Sequence, residues 1–139
     1  MIIKQVSIFI ENKPGRLAEI TGVIADNNIN LRTLSLVESD NSGILRIIVD
    51  APDRVKEILK AKGITASVKE VLCVLVDDRA GGLADMLRVI ADNNIAVKYM
   101  YAFVVEHEKA CIIMRVEDEE TVKATEILKK AGYEGLNTK

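Results

Sequence analysis

One histidine and two cysteines are all that 139 residues hold of those types, and acidic and basic side chains nearly balance at a formal net charge of −2. Each scarcity removes a class of function. His107 stands without a partner motif, and Cys73 and Cys111 lack the spacing of metal ligands, so neither a metal site nor a cofactor is expected. No nucleophile–histidine pair and no phosphate-cradling loop can be assembled, because "RAGG" (79–82) is too short, and an enzyme is not expected. Two such cysteines suit reduced thiols in a cytoplasmic protein. The near-neutral balance gives no electrostatic reason to bind nucleic acid or an anionic membrane. Apolar runs are short as well. Met1 to Ile10 is closed by Glu11 before it could serve as a signal segment, and no stretch approaches the roughly 20 apolar residues that span a bilayer. What the chain has in quantity is hydrophobic residues, 49% of the total, enough to bury a real core.

The chain is one unit written twice. A shift of 66 positions aligns "PGRLAEITGVIADNNIN" (14–30) with "AGGLADMLRVIADNNIA" (80–96), and Val23 to Ile29 matches Val89 to Ile95 without a difference. Further on, "EILKAKGI" (57–64) aligns with "EILKKAGY" (126–133) after a shift of 69. A few residues are therefore inserted between, around the hairpin at His107 to Lys109 and the turn at Glu117 to Glu120. Self-similarity of this kind predicts two domains, 1–70 and 71–139.

Each copy runs in the same order. Residues 5–11 are strand-like, and Leu17, Ile20 and Ile24 then follow helical spacing. Two strands, 31–38 and 43–50, flank the hairpin signal Asp40-Asn41-Ser42-Gly43. A second helix begins near Pro52, carries the stripe Val55, Ile58 and Leu59, and ends at Gly63. Residues 64–71 form a last strand. The order is βαββαβ, twice: an α+β, ferredoxin-like arrangement of two units side by side, with antiparallel sheets and helices on one face. Almost no linker remains, so Val68 to Val76 must close one copy and open the next. In copy two the last strand, "YEGLNTK" (133–139), is short and polar.

Strand alternation separates the faces. Ile8, Ile10, Leu34, Leu36, Leu45, Ile47 and Val49 are expected under the helices, matched in copy two by Val74, Val76, Met100, Ala102, Ile112, Met114 and Val116. The opposite face is mixed in copy one (Ser7, Phe9, Thr33, Ser35, Arg46, Ile48). In copy two it reads Leu75, Tyr99, Tyr101, Phe103, Val105, Cys111 and Ile113. An apolar patch of that extent predicts cover by a second chain, a homodimer.

The junction "ENKPGRLAEI" (11–20) turns a strand into a helix. The first N–H groups of a helix lack internal partners and lie at the positive end of its dipole, so they suit a carboxylate. Gly15 permits close approach, Pro14 needs no N–H, and Asn12 offers a donor and an acceptor on one short side chain. The plain alternative is good turn chemistry, with Asn27-Asn28 as an ordinary helix end.

The whole chain, read as two such units of about 70 residues, resembles a tandem pair of ACT domains, a regulatory module that binds amino acids. The family's Asn-x-Pro-Gly-x-Leu junction and hydrophobic-Asn helix end are nearly complete in copy one ("ENKPGRLAEITGVIADNNINL"). Copy two has Asp78, Ala80 and Ala96 in place of the Asn, the Pro and the second Asn. The resemblance implies a ligand site between adjacent units. Asn12, Lys13, Pro14, Gly15, Arg16 and Leu17 would line it, with Asn30 and Leu31 from a neighbour. Copy two would offer Asp78, Arg79, Gly81, Gly82 and Leu83. The expected ligand is a small free amino acid, sensed by a stand-alone regulatory protein that acts through its assembly or a partner enzyme. A ligand-free scaffold, or the regulatory subunit of a biosynthetic enzyme, is the alternative. An RNA-recognition module shares the element order, but Tyr99, Tyr101 and Phe103 sit on one strand and basic charge is missing. Asp77-Asp78 and "EDEE" (117–120) read as exposed acids and helix-start charge.

Overall fold

The computed structural model describes residues 1–136. In chain order these form β1 (Ile2–Glu11), α1 (Arg16–Asp26), β2 (Leu31–Ser39), β3 (Ser42–Val49), α2 (Pro52–Ala61), β4 (Ala66–Asp77), α3 (Gly82–Asp92), β5 (Tyr99–Val105), β6 (Lys109–Arg115) and α4 (Thr121–Lys130), with a 3-10 turn, Asp118–Glu120, before α4. The βαββαβ order recurs, with β4 one uninterrupted strand across the repeat boundary and residues 133–136 in the place of the second copy's last strand. One inserted residue sits in the β5–β6 hairpin, where Val105 pairs with Lys109, whereas Ser39 pairs with Ser42 in the β2–β3 hairpin. The 3-10 turn holds the rest of the insertion.

Two compact units divide the chain, Lys4–Lys69 and Met1–Ile3 with everything from Glu70 onward. In the first, antiparallel ladders run β2-β3-β1. The Phe9 N–H also donates to the Thr65 carbonyl at 3.3 Å, which brings the segment after α2 to the side of β1 opposite β3. In the second, the ladders run β4-β6-β5, and the Leu75 N–H donates to the Glu134 carbonyl at 2.8 Å in the corresponding place. Residues 133–136 thus reach the ladder without forming a regular strand; 137–139 of the expected last strand lie outside the described residues. Met1 joins the second unit through its carbonyl, which accepts from the Cys73 N–H at 2.7 Å.

All four helices stop in the same way. A residue with positive φ follows the last turn (Asn28, Gly63, Asn94, Gly132), and the next N–H reaches back five residues: Ile29 to Ile24, Ile64 to Leu59, Ile95 to Ile90, Tyr133 to Leu128. This satisfies helix-end carbonyls that would otherwise be orphaned. The Asn27 and Asn93 side chains add bonds to the carbonyls of Val23 and Val89, both 2.8 Å. Helix termination therefore accounts for the repeated Asp-Asn-Asn-Ile.

Each unit has its own core. In the first, Val6, Ile8, Ile10, Leu45, Ile47 and Val49 pack with Ile20 and Ile24 of α1 and Val55 and Leu59 of α2. In the second, Leu72, Val74, Val76, Ile112, Met114 and Val116 pack with Met86 and Ile90 of α3 and Ala124 and Leu128 of α4. The expected core set fails at Leu34 and Leu36 in the first unit and at Ala102 in the second, whereas Met100 packs against the second core. Leu34 and Leu36 are 47% and 49% exposed, while Met100 is half-buried and Ala102 exposed. β2 and β5 are outer strands, each bonded to one neighbour, and helix cover thins over them.

The helix-free face of the second unit is less open than its composition suggests. Cys111 and Ile113 are fully buried within one chain, and Leu75, Tyr99, Tyr101, Phe103 and Val105 are half-buried. Tyr101 pairs across the ladder with Ile113, and Phe103 with Cys111, so an aromatic ring lies beside each of these two buried side chains. On the same face the Sγ atoms of Cys73 and Cys111 are 2.6 Å apart. Their mutual hydrogen bond, then burial, pushes the Cys111 thiol well up.

Candidate ligand site

Both strand-to-helix turns place a glycine in the left-handed region, Gly15 at φ +83° and Gly81 at φ +85°, where a side chain is disfavoured. The carbonyls of Gly15 and Gly81 accept from Glu19 and Asp85, both at 2.9 Å, while the N–H groups of Arg16 and Gly82 return to Lys13 and Arg79 at 3.3 and 3.0 Å. No side chain caps either helix. Among the described residues, the Leu17, Ala18, Leu83 and Ala84 amides are left as donors at the positive ends of α1 and α3. Gly82 has a separate reason to be glycine: a Cβ there would lie 2.1 Å from the Asp77 carbonyl oxygen.

Charge is arranged differently at the two turns. At the first, Lys13 pairs with Glu11 at 3.1 Å and holds that carboxyl below its ordinary range. Arg16 pairs with Glu19 at 3.1 Å, and the Nε of Arg16 is buried without a hydrogen-bond partner among the described residues. At the second, Arg79 bonds Asp85 at 3.0 Å and lies 3.6 Å from Asp77, which also pairs with Lys109. Asp85, then Asp77, raises the Arg79 guanidinium, while Lys109, then Arg79, holds the Asp77 carboxyl low. The cations of the second turn are engaged by its own acids. Asp78 is exposed, its backbone N–H bonded to the Glu108 carbonyl at 2.8 Å.

The expected residues fall into three groups. Asn12, Lys13, Pro14, Gly15, Arg16 and Leu17 occupy one turn, and Asp78, Arg79, Gly81, Gly82 and Leu83 its counterpart. Asn30 and Leu31 lie past the other end of α1. A helix of 11 residues is roughly 16 Å long, so within one unit they cannot share a pocket with the turn. The Asn30 carbonyl accepts from the Asp50 N–H at 3.3 Å.

Sequence reasoning missed a cavity of about 210 Å3 beside Asn12. Ile10, Leu36, Val37 and Gly43 supply its apolar surface, and Asn12, Glu38 and Ser42 its polar groups. The hairpin residues were visible only as a turn signal; the pairing of β2 and β3 with β1 brings them to Asn12. Among the described residues, no group of three or more His, Cys, Asp or Glu could hold a metal, and no helix is long and apolar enough to cross a membrane.

The sequence matches the family model described as "ACT domain pair" over residues 1–136. No curated protein matches it. Among solved structures, protein BT0572 from Bacteroides thetaiotaomicron is 35% identical, with a TM-score of 0.90 over 98% of this chain and 92% of that one. The ligand-free regulatory subunit of aspartate kinase from Thermus thermophilus is 14% identical, with a TM-score of 0.65 over 95% of this chain and 97% of that one. The corresponding subunit from Thermus flavus is 14% identical, with a TM-score of 0.64 over 94% and 95%. At such identities the two subunits are alike in fold alone. With both strand-to-helix turns, both βαββαβ units and the family match in agreement, this chain belongs to the ACT domain family as a pair of ACT domains.

Proposed function

We propose that this ACT pair is a regulatory protein that binds a small free amino acid at the turn from β1 into α1. The observation that carries the reading is the set of uncommitted donors there: the Leu17 and Ala18 amides and the buried Nε of Arg16. A ligand carboxylate supplies the acceptors they lack, and Asn12 adds a short side chain able to donate or accept. The turn at Gly81 to Leu83, with Asp78 in place of Asn12, is a second and chemically different site. Ligand shifts assembly or the grip on a partner enzyme only by its differential affinity for the two states.

Isothermal titration of the twenty amino acids into wild type and Asn12→Ala tests this. One amino acid should bind, and the variant should lose about 1.5–3 kcal/mol, roughly ten- to hundredfold. Absence of binding at millimolar concentration refutes the reading. A ligand-free regulatory subunit is the second reading. The half-buried Tyr99, Tyr101 and Phe103 favour it, as an apolar face suited to a partner enzyme or to a second copy of the chain.

A further inference from the structure

The cavity beside Asn12 has a simple origin in strand register. Ile10 pairs with Gly43, and Gly43 pairs with Glu38, so these three residues form one row across β1, β3 and β2. The neighbouring row on the same face is Ile8–Leu45–Leu36. Leu45 fills the middle of its row, whereas Gly43 leaves the middle of its own empty. A Cβ at Gly43 would lie 3.4 Å from the Ile10 and Leu36 side chains and from the Val37 carbonyl oxygen, so two apolar side chains and one backbone acceptor bound the gap. At its polar side, Ser42 donates to the Ser39 carbonyl at 2.8 Å. The Glu38 carboxylate and the Asn12 side-chain amide have no hydrogen-bond or ion-pair partner among the described residues.

The second unit has lost both features. Its equivalent row is Val76–Ala110–Val104. A methyl occupies the central position, and a valine that is 73% exposed stands where the first unit has its acid.

We propose that the first unit's cavity is a binding site for a primary ammonium carried on a short aliphatic chain. It deepens the amino-acid reading, on which it rests for the ligand's carboxylate, by assigning the other two parts. The ammonium meets Glu38 and the Asn12 side-chain oxygen, and the chain lies over Gly43 between Ile10 and Leu36. An unpaired carboxylate repels an anion here. A neutral polar ligand would leave its own donors and acceptors facing the apolar wall. The volume, about 210 Å3, equals that of about seven waters, room for a short branched chain.

The test is calorimetric titration of the full chain with three probes: L-leucine, isobutylamine and isovalerate. Leucine and isobutylamine should bind and isovalerate should not. Glu38→Gln, at an exposed position, should weaken both ligands roughly ten- to hundredfold, and Gly43→Ala, which copies the central residue of the second unit's row, should weaken them further. Circular dichroism and a melting curve confirm that each variant is folded; should Gly43→Ala fail to fold, Glu38→Gln decides. If leucine binds with unchanged affinity to Glu38→Gln, the cavity assignment falls while the amino-acid reading stands. If isobutylamine binds with the expected dependence but no amino acid binds, the reverse holds. If neither binds, both fall.

Discussion

Gly15 and Gly82 belong to corresponding strand-to-helix turns, yet different constraints hold them. Gly15 needs the left-handed backbone, at φ +83°, while its missing side chain would face open space. Gly82 has no such φ; its missing side chain would collide with the Asp77 carbonyl. Gly15→Ala should therefore cost about 1 kcal/mol in a urea melt. Gly82→Ala should cost about 3 kcal/mol, because backbone must move to relieve the clash. Equal costs would mean that the two turns share one constraint. Gly43 adds a third case, where the absent side chain is itself the opening. The sequence marks all three with the same letter, and only the structure separates them.

Helix ends are where sequence and structure agree most closely, and the agreement is local. Asn28 adopts φ +57°, and the N–H after it closes a bond to Ile24 at 3.3 Å. Asn28→Gly should keep or raise stability, and Asn28→Ala should lower it by about 1 kcal/mol, as read by thermal melting. Ligand affinity should stay the same in both, since the residue is occupied with helix termination. The order of elements and both junctions were legible because each depends on neighbours a few residues apart, and the repeat because its two copies still match residue for residue. The exposure of Leu34 and Leu36, the approach of Cys73 to Cys111 and the cavity beside Asn12 were not. All three depend on which strand lies beside which, and pairing between Glu38, Gly43 and Ile10 leaves no periodic trace in the chain. The separation of Asn30 from Asn12 by a helix was legible too, because the apolar spacing of Leu17, Ile20 and Ile24 runs between them.

For the molecule as a whole, the helix-free face of the second unit sets the expectation about assembly. Tyr99, Tyr101, Phe103, Leu75 and Val105 are only half-buried in a single chain, and faces of this composition are generally covered. Light scattering coupled to size-exclusion chromatography should report a dimer, and Tyr101→Glu should shift it toward monomer. A dilute, well-behaved wild-type monomer would remove the dimer. The division of the chain has its own consequence. Met1–Ile3 belongs with the residues after Glu70, and the Met1 carbonyl serves the Cys73 amide. The duplicated gene segments and the compact bodies are therefore not the same objects. Scissors placed between Lys69 and Glu70 would respect the body boundary yet strand three residues with the wrong half, so the second unit cannot be lifted out whole by one cut, whereas Lys4–Lys69 is a single contiguous piece.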